Sequence, residues 1–148
     1  MIVLPESQLA DPAVGGLHAD VVVVKNVGTY SPQMITRYLQ LYAQVGPHMS
    51  TVLNADDRAS LEIAKSALVQ KGKIYYFSKN SGLKDQIEEI GGVVSDGEEM
   101  KVFGVNRAKG GRLNMKLPQI LPHDQEVALL AALAAVMDLG MEAENLAL

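Results

Sequence analysis

The sequence predicts an α/β domain, a mostly parallel sheet flanked by helices with an antiparallel hairpin edge. Three observations predict it. Strand-like and helix-like segments alternate from Asp20 to Gly91. The first of them, Val21-Val22-Val23-Val24, is a continuous β-branched run, as expected of a strand buried on both faces of a parallel sheet. From Gly92 to Pro118 the alternation gives way to short segments between turn clusters, which read as hairpins.

The elements follow in order. Ser31-Pro32 starts a helix, with Ser as N-cap and Pro at the first helical position. Met34, Ile35, Tyr38, Leu39, Tyr42 and Val45 then lie on one face, and Gly46-Pro47 stops the helix. Thr51-Val52-Leu53 is a short strand, with Asn54-Ala55-Asp56-Asp57 at its carboxyl end. A helix from Arg58 to about Gln70 presents Leu61, Ala64 and Leu68, and Gly72 ends it. Lys73 to Ser78 is a strand rich in aromatic residues. Leu83 to Ile90 is a shorter helix closed by Gly91-Gly92. Val93-Val94, Met100 to Val105 and Arg112 to Leu117 are the hairpin strands, with turns at Ser95-Asp96-Gly97 and Lys109-Gly110-Gly111. A final helix runs from His123 to Leu139, capped by Gly140, and is apolar all round at its centre, as a buried helix is.

Composition bounds the function. At 148 residues, 48% hydrophobic and 20% charged, residues 1–148 are expected to form one folded domain. Cysteine is absent, which excludes disulfides and thiol chemistry. A net charge of -4 argues against nucleic acid as a partner. The longest apolar run, Val127 to Met137, falls short of the ~20 residues that cross a bilayer. The start of the chain lacks the features of a signal peptide. The expectation is a cytoplasmic protein with no membrane partner.

Ligands of such sheets sit beyond the carboxyl ends of the strands. That rule selects Asn26-Val27-Gly28, Asn54 to Asp57 and Ser78-Lys79-Asn80. Asn54 could offer a donor and an acceptor to a base edge. The plainer alternative is that Asp56 or Asp57 caps the next helix while Asn54 forms a turn. Asp56-Asp57 could also hold magnesium, as acidic pairs do in receiver domains, although those place the pair after their first strand. No phosphate loop is present, because Gly72-Lys73 has Ala67 where the upstream glycine should stand. His18, His48 and His123 lack ligand spacing, so no metal site is expected. Arg107, Lys109 and Arg112 could meet phosphates but read more simply as an exposed basic hairpin tip.

Val52 to Asp57 resembles a segment of the Mur ligases, the ATP-dependent amide-bond-forming enzymes of the peptidoglycan pathway, and looks closest to the related cyanophycin synthetases. The likeness continues in order through Tyr76-Phe77-Ser78, Gly91-Gly92, His123-Asp124, the alanine-rich stretch Ala128 to Val136, and Leu139-Gly140-Met141. Upstream, Val21 to Gly28 resembles the strand that ends in Asn-Ile-Gly in that family. The resemblance implies a Mur ligase central-domain-like fold, with Asn54 as the adenine contact of an ATP or ADP site. Asp57 and Asn26 complete the candidate nucleotide-binding set.

The departures from that family set the functional expectation. Tyr30 and Ser31 stand where it has an Asp-His pair that helps to hold magnesium. Val127 replaces the asparagine of its last helix motif. Its phosphate loop would fall before Met1 and its substrate-delivering domain after Leu148. Phosphoryl transfer needs a phosphate cradle and cations. The expectation is therefore a non-catalytic interaction or scaffold module with residual adenine-nucleotide binding, partnered by further copies of itself or by a ligase subunit. The exposed side of the Tyr38/Tyr42 helix and the chain ends would be its contact surfaces. The alternative is the nucleotide-binding subunit of a split ATP-dependent amide ligase, related to cyanophycin or peptidoglycan precursor synthesis.

Overall fold

The structure is a computed structural model and describes residues 6–9, 11–28, 30–46, 48–103, 112–117 and 121–138. Ten elements carry the fold. In chain order they are β1 (Val21–Val24), α1 (Pro32–Val45), β2 (Ser50–Asn54), α2 (Arg58–Ala64), β3 (Ile74–Ser78), α3 (Lys84–Ile90), β4 (Gly92–Ser95), β5 (Glu99–Phe103), β6 (Arg112–Lys116) and α4 (His123–Asp138). The six strands make one sheet in the order of the sequence, β1 to β6. Pairing is parallel from β1 to β4 and antiparallel from β4 to β6. The α/β sheet with an antiparallel edge is the architecture the alternation predicted.

A sequential strand order has a geometric consequence. Crossovers between parallel neighbours are right-handed, so successive ones return on the same face. Accordingly α1 and α2 pack with Val24 and Leu53, and α3 packs with Val94 and Phe103, on one side. The other side, with Val52, Tyr75, Phe77, Val93, Met100 and Val102, is covered by Val127, Leu130, Ala131, Leu133 and Ala134 of α4. Within the α1 side the Tyr42 and Thr51 hydroxyls are buried against one another without a hydrogen bond of regular geometry. Burial pushes the Tyr42 hydroxyl well above the usual tyrosine range.

Local chemistry sets the helix ends. The Ser31 hydroxyl accepts from Met34 N at 3.2 Å and Pro32 opens α1, as the sequence predicted. Two glycines are required by close approach. A Cβ on Gly92 would stand 1.8 Å from the Tyr76 carbonyl oxygen, and one on Gly72 would stand 1.9 Å from that of Met49. Only glycine lets the chain leave α3 and the turn after α2 this close to a neighbouring backbone.

Five expectations need correction. β1 is an edge strand, so only Val24 is enclosed, while Val21 and Val22 are half-buried and Val23 is 43% exposed. The predicted 58–70 helix stops at Ala64, because Ser66 turns the chain, its carbonyl accepting from Val69 N and Gln70 N. Its buried face is Ala59, Ser60, Ile63 and Ala64, while Leu61 and Leu68 point outward. β4 is not only a hairpin strand, since it also pairs in parallel with β3. α4 is not enclosed on all sides, because Ala128 and Ala132 are exposed. The predicted cap at Gly140, the turn at 109–111 and the side chains of Arg107, Lys109 and Arg112 lie outside the described residues.

Candidate functional site

The carboxyl ends of β1, β2 and β3 are joined by the side chains of Asn54, Asp56 and Asp57. Asn54 ends β2 and is 8% exposed. Its Nδ2 donates to the Lys25 carbonyl at 3.2 Å, and its Oδ1 accepts from Asp56 N at 2.9 Å. One amide proton and one lone pair remain for a further partner. Asp57 caps α2, accepting from Ala59 N and from both the N and the hydroxyl of Ser60. The same carboxylate reaches back to Val27 N at 3.0 Å. Asp56 faces the other way, where Oδ1 accepts from the Ser78 hydroxyl at 2.5 Å and Oδ2 from Lys79 N at 2.7 Å. Three adjacent polar residues thus form a clasp across the ends of three strands.

The cap and the turn foreseen as the plainer reading of this motif are both present. They coexist with spare hydrogen-bonding capacity on Asn54. Asn26 is exposed, and its Oδ1 closes a turn by accepting from Gly28 N at 2.9 Å. Asn54 and Asp57 therefore meet at the β1–β2 boundary, with Asn26 on the loop that both of them hold.

A second polar group stands at the ends of β3 and β4. Glu126, in the first turn of α4, is 4% exposed. Its carboxylate pairs with Lys79 Nζ at 2.5 Å and accepts from the Ser95 hydroxyl at 2.6 Å. Burial alone would push the Glu126 carboxyl up. The hydrogen bonds from Lys79 and Ser95, with the charges of Lys79 and His123, outweigh it and hold the carboxyl below the usual range. Lys79 Nζ also lies 3.2 Å from His123 Nδ1. A ligand reaching this end of the sheet would meet groups that already hold α4 against β3 and β4.

Sequence reasoning gave no site role to Glu126, Ser95 or Arg58. Glu126 was detectable, since it stands in phase with Leu130 and Leu133 on the face of α4 that turned out to be buried. Arg58 opens α2, and its guanidinium lies over the Tyr30 ring, 4.7 Å from the centroid. No local pattern announced that stack, because Tyr30 precedes α1 and Arg58 opens α2. Among the described residues no group of three or more His, Asp or Glu is placed to hold a metal ion. No described helix is long and apolar enough to cross a membrane.

Comparison with known proteins bears on the fold. No protein-family model matches the chain. The UDP-N-acetylmuramoylalanine–D-glutamate ligase of Bdellovibrio bacteriovorus is 40% identical over 63 residues, which is 43% of this chain and 14% of that ligase. Two solved structures from Acinetobacter baumannii share the fold. The UDP-N-acetylmuramoylalanyl-D-glutamyl-2,6-diaminopimelate–D-alanyl-D-alanyl ligase superposes with a TM-score of 0.54 at 18% identity, covering 84% of this chain and 27% of that one. A MurF structure gives 0.57 at 17% identity, covering 88% and 28%. The chain thus spans less than a third of the ligases it resembles. Its mixed sheet is the Mur ligase fold, and over 63 residues its sequence is similar to the D-glutamate ligase.

Proposed function

We propose that this chain is a Mur ligase-like interaction or scaffold module that holds an adenine nucleotide at the carboxyl edge of its sheet and does not transfer phosphoryl groups by itself. Asn54 carries the reading. It sits at the end of a fully buried strand, is fixed by Lys25 O and Asp56 N, and keeps one donor and one acceptor for a base edge. Asp57 and Asn26 shape the loop above it. The 148 residues contain neither a phosphate loop nor an Asp-His pair, the parts on which phosphoryl transfer depends. Phosphoryl transfer would draw those parts from elsewhere, and the expected partners are further copies of this chain or a ligase subunit.

The similarity to the D-glutamate ligase favours a second reading, in which the chain is the nucleotide-binding part of a split ATP-dependent amide ligase. Its product would belong to peptidoglycan precursor or cyanophycin-like synthesis. The kinship to cyanophycin synthetases rests on the order of the motifs alone.

Thermal melts with adenosine, ADP and ATP test the shared premise. A ligand at 100 times its dissociation constant stabilises by ~2.7 kcal/mol. That should raise Tm by roughly 5 to 10 °C for a chain of this size. Asn54→Ala, compared with its own ligand-free melt, should lose the shift. No shift with any of the three at millimolar concentration removes nucleotide binding and leaves the scaffold role.

A further inference from the structure

The charges at the β1–β2 edge are unevenly employed. Its two carboxylates are both engaged, Asp57 by Val27, Ala59 and Ser60, and Asp56 by Ser78 and the Lys79 amide. The next carboxylate along the sheet, Glu126, is held by Lys79 and Ser95. The cations differ. Among the described residues, no carboxylate pairs with Lys25 or Arg58, and both are exposed.

Their placement follows from the clasp. Lys25 is the residue whose carbonyl receives Asn54 Nδ2, and Arg58 follows Asp57, which binds Val27 N. The two cations therefore lie on the two segments that the clasp fastens together. Arg58 is also ordered in advance, its guanidinium resting on a Tyr30 ring that is 46% exposed. A stacked guanidinium keeps its planar fork for a phosphate, and less freedom is lost when it binds one. Magnesium at a nucleotide draws on one or two carboxylates besides the phosphates and water, and both carboxylates at this edge already accept hydrogen bonds.

We propose that this edge is a metal-independent polyphosphate site, in which Arg58 and Lys25 neutralise the phosphates of the ligand in place of magnesium. As a nucleotide subsite it rests on the adenine reading above, whereas its affinity for the phosphate chain alone does not. The chemical class is a nucleoside di- or triphosphate bound free of metal.

Calorimetric titration with three probes separates the two readings. They are adenosine, sodium tripolyphosphate and ATP, each in EDTA and in excess magnesium. Tripolyphosphate and ATP should bind in EDTA, and magnesium should weaken both by competing for the phosphates. Arg58→Gln should weaken both about tenfold, the loss of one charge-assisted contact, while leaving adenosine unchanged. Arg58→Lys, which keeps the charge but loses the fork, should fall between. Asn54→Ala should act on adenosine and ATP and spare tripolyphosphate. ATP binding that requires magnesium, or that is unchanged in Arg58→Gln, overturns the inference. Adenosine binding without tripolyphosphate binding overturns it and leaves the adenine reading intact. Tripolyphosphate binding without adenosine binding overturns the adenine reading and keeps the anion site. Binding of neither overturns both.

Discussion

Asp57→Ala should be among the most damaging single changes at this edge. Asp57 meets four donors, the amides of Val27, Ala59 and Ser60 and the Ser60 hydroxyl. Losing an aspartate cap costs about 1 kcal/mol. Val27 is 2% exposed and Ser60 0%, so their donors do not all regain water. A buried donor left without a partner costs about 1–3 kcal/mol. Some relief by solvent at the half-buried carboxylate position brings the expected total to about 2–4 kcal/mol. Urea unfolding followed by circular dichroism measures it, with the slope unchanged if only the folded state is affected. The melt should fall by roughly 5 to 15 °C. Asp57→Asn keeps one acceptor oxygen and should lose about half as much. A value for Asp57→Ala within ~0.5 kcal/mol of the parent, or equal to that of Asp57→Asn, would refute the idea that one carboxylate fastens both β1 and α2.

Four further outcomes are expected. Glu126→Ala should cost about 2 kcal/mol by urea unfolding, less than a fully enclosed pair, because Lys79 is 27% exposed and recovers water. The folded Glu126 carboxyl lies below its ordinary value of 4.5, so its contribution is complete above that pH and fades as pH falls through the lower folded value. Stability measured from pH 7 to pH 3 should therefore drop at the acid end, and Glu126→Gln should flatten that drop. Gly92→Ala should fail to give a native melt, since its φ of 151° and the Tyr76 carbonyl both exclude a Cβ. Tyr42→Phe, which removes a buried hydroxyl lacking a regular hydrogen bond, should change stability by less than about 1 kcal/mol in either direction.

What could be read in advance was what depends on neighbours in sequence. The α1 cap, the α/β alternation and the hairpin turn at Ser95 to Gly97 are local, and all are present. Asn54 and Asp57 were legible for the same reason, as a turn and a cap close to a strand end. The failures share another cause. The exposure of β1 depends on its place at the sheet edge, which no four valines disclose. Leu61 has the hydrophobicity of a core residue and was assigned to the buried face, yet Ser60, whose hydroxyl Asp57 accepts, took that place. Asp56 binding to Ser78, Glu126 to Lys79, and Arg58 over Tyr30 each join residues more than twenty positions apart. Such pairings are fixed by topology and carry no local signature.

The sequential strand order also sets a timetable during synthesis. The three helices on the α1 side are each made beside the strands they cover, so that face closes as the chain emerges. The opposite face waits. Val52, Tyr75, Phe77 and Val93 are all made by residue 93, but the helix that covers them ends at Asp138. At about 5–20 residues per second, translation leaves that apolar surface bare for about 2 to 9 s. A nascent chain of this fold thus carries its longest-lived bare apolar surface on one side only. The Glu126 contacts with Lys79 and Ser95 mark the moment at which that exposure ends.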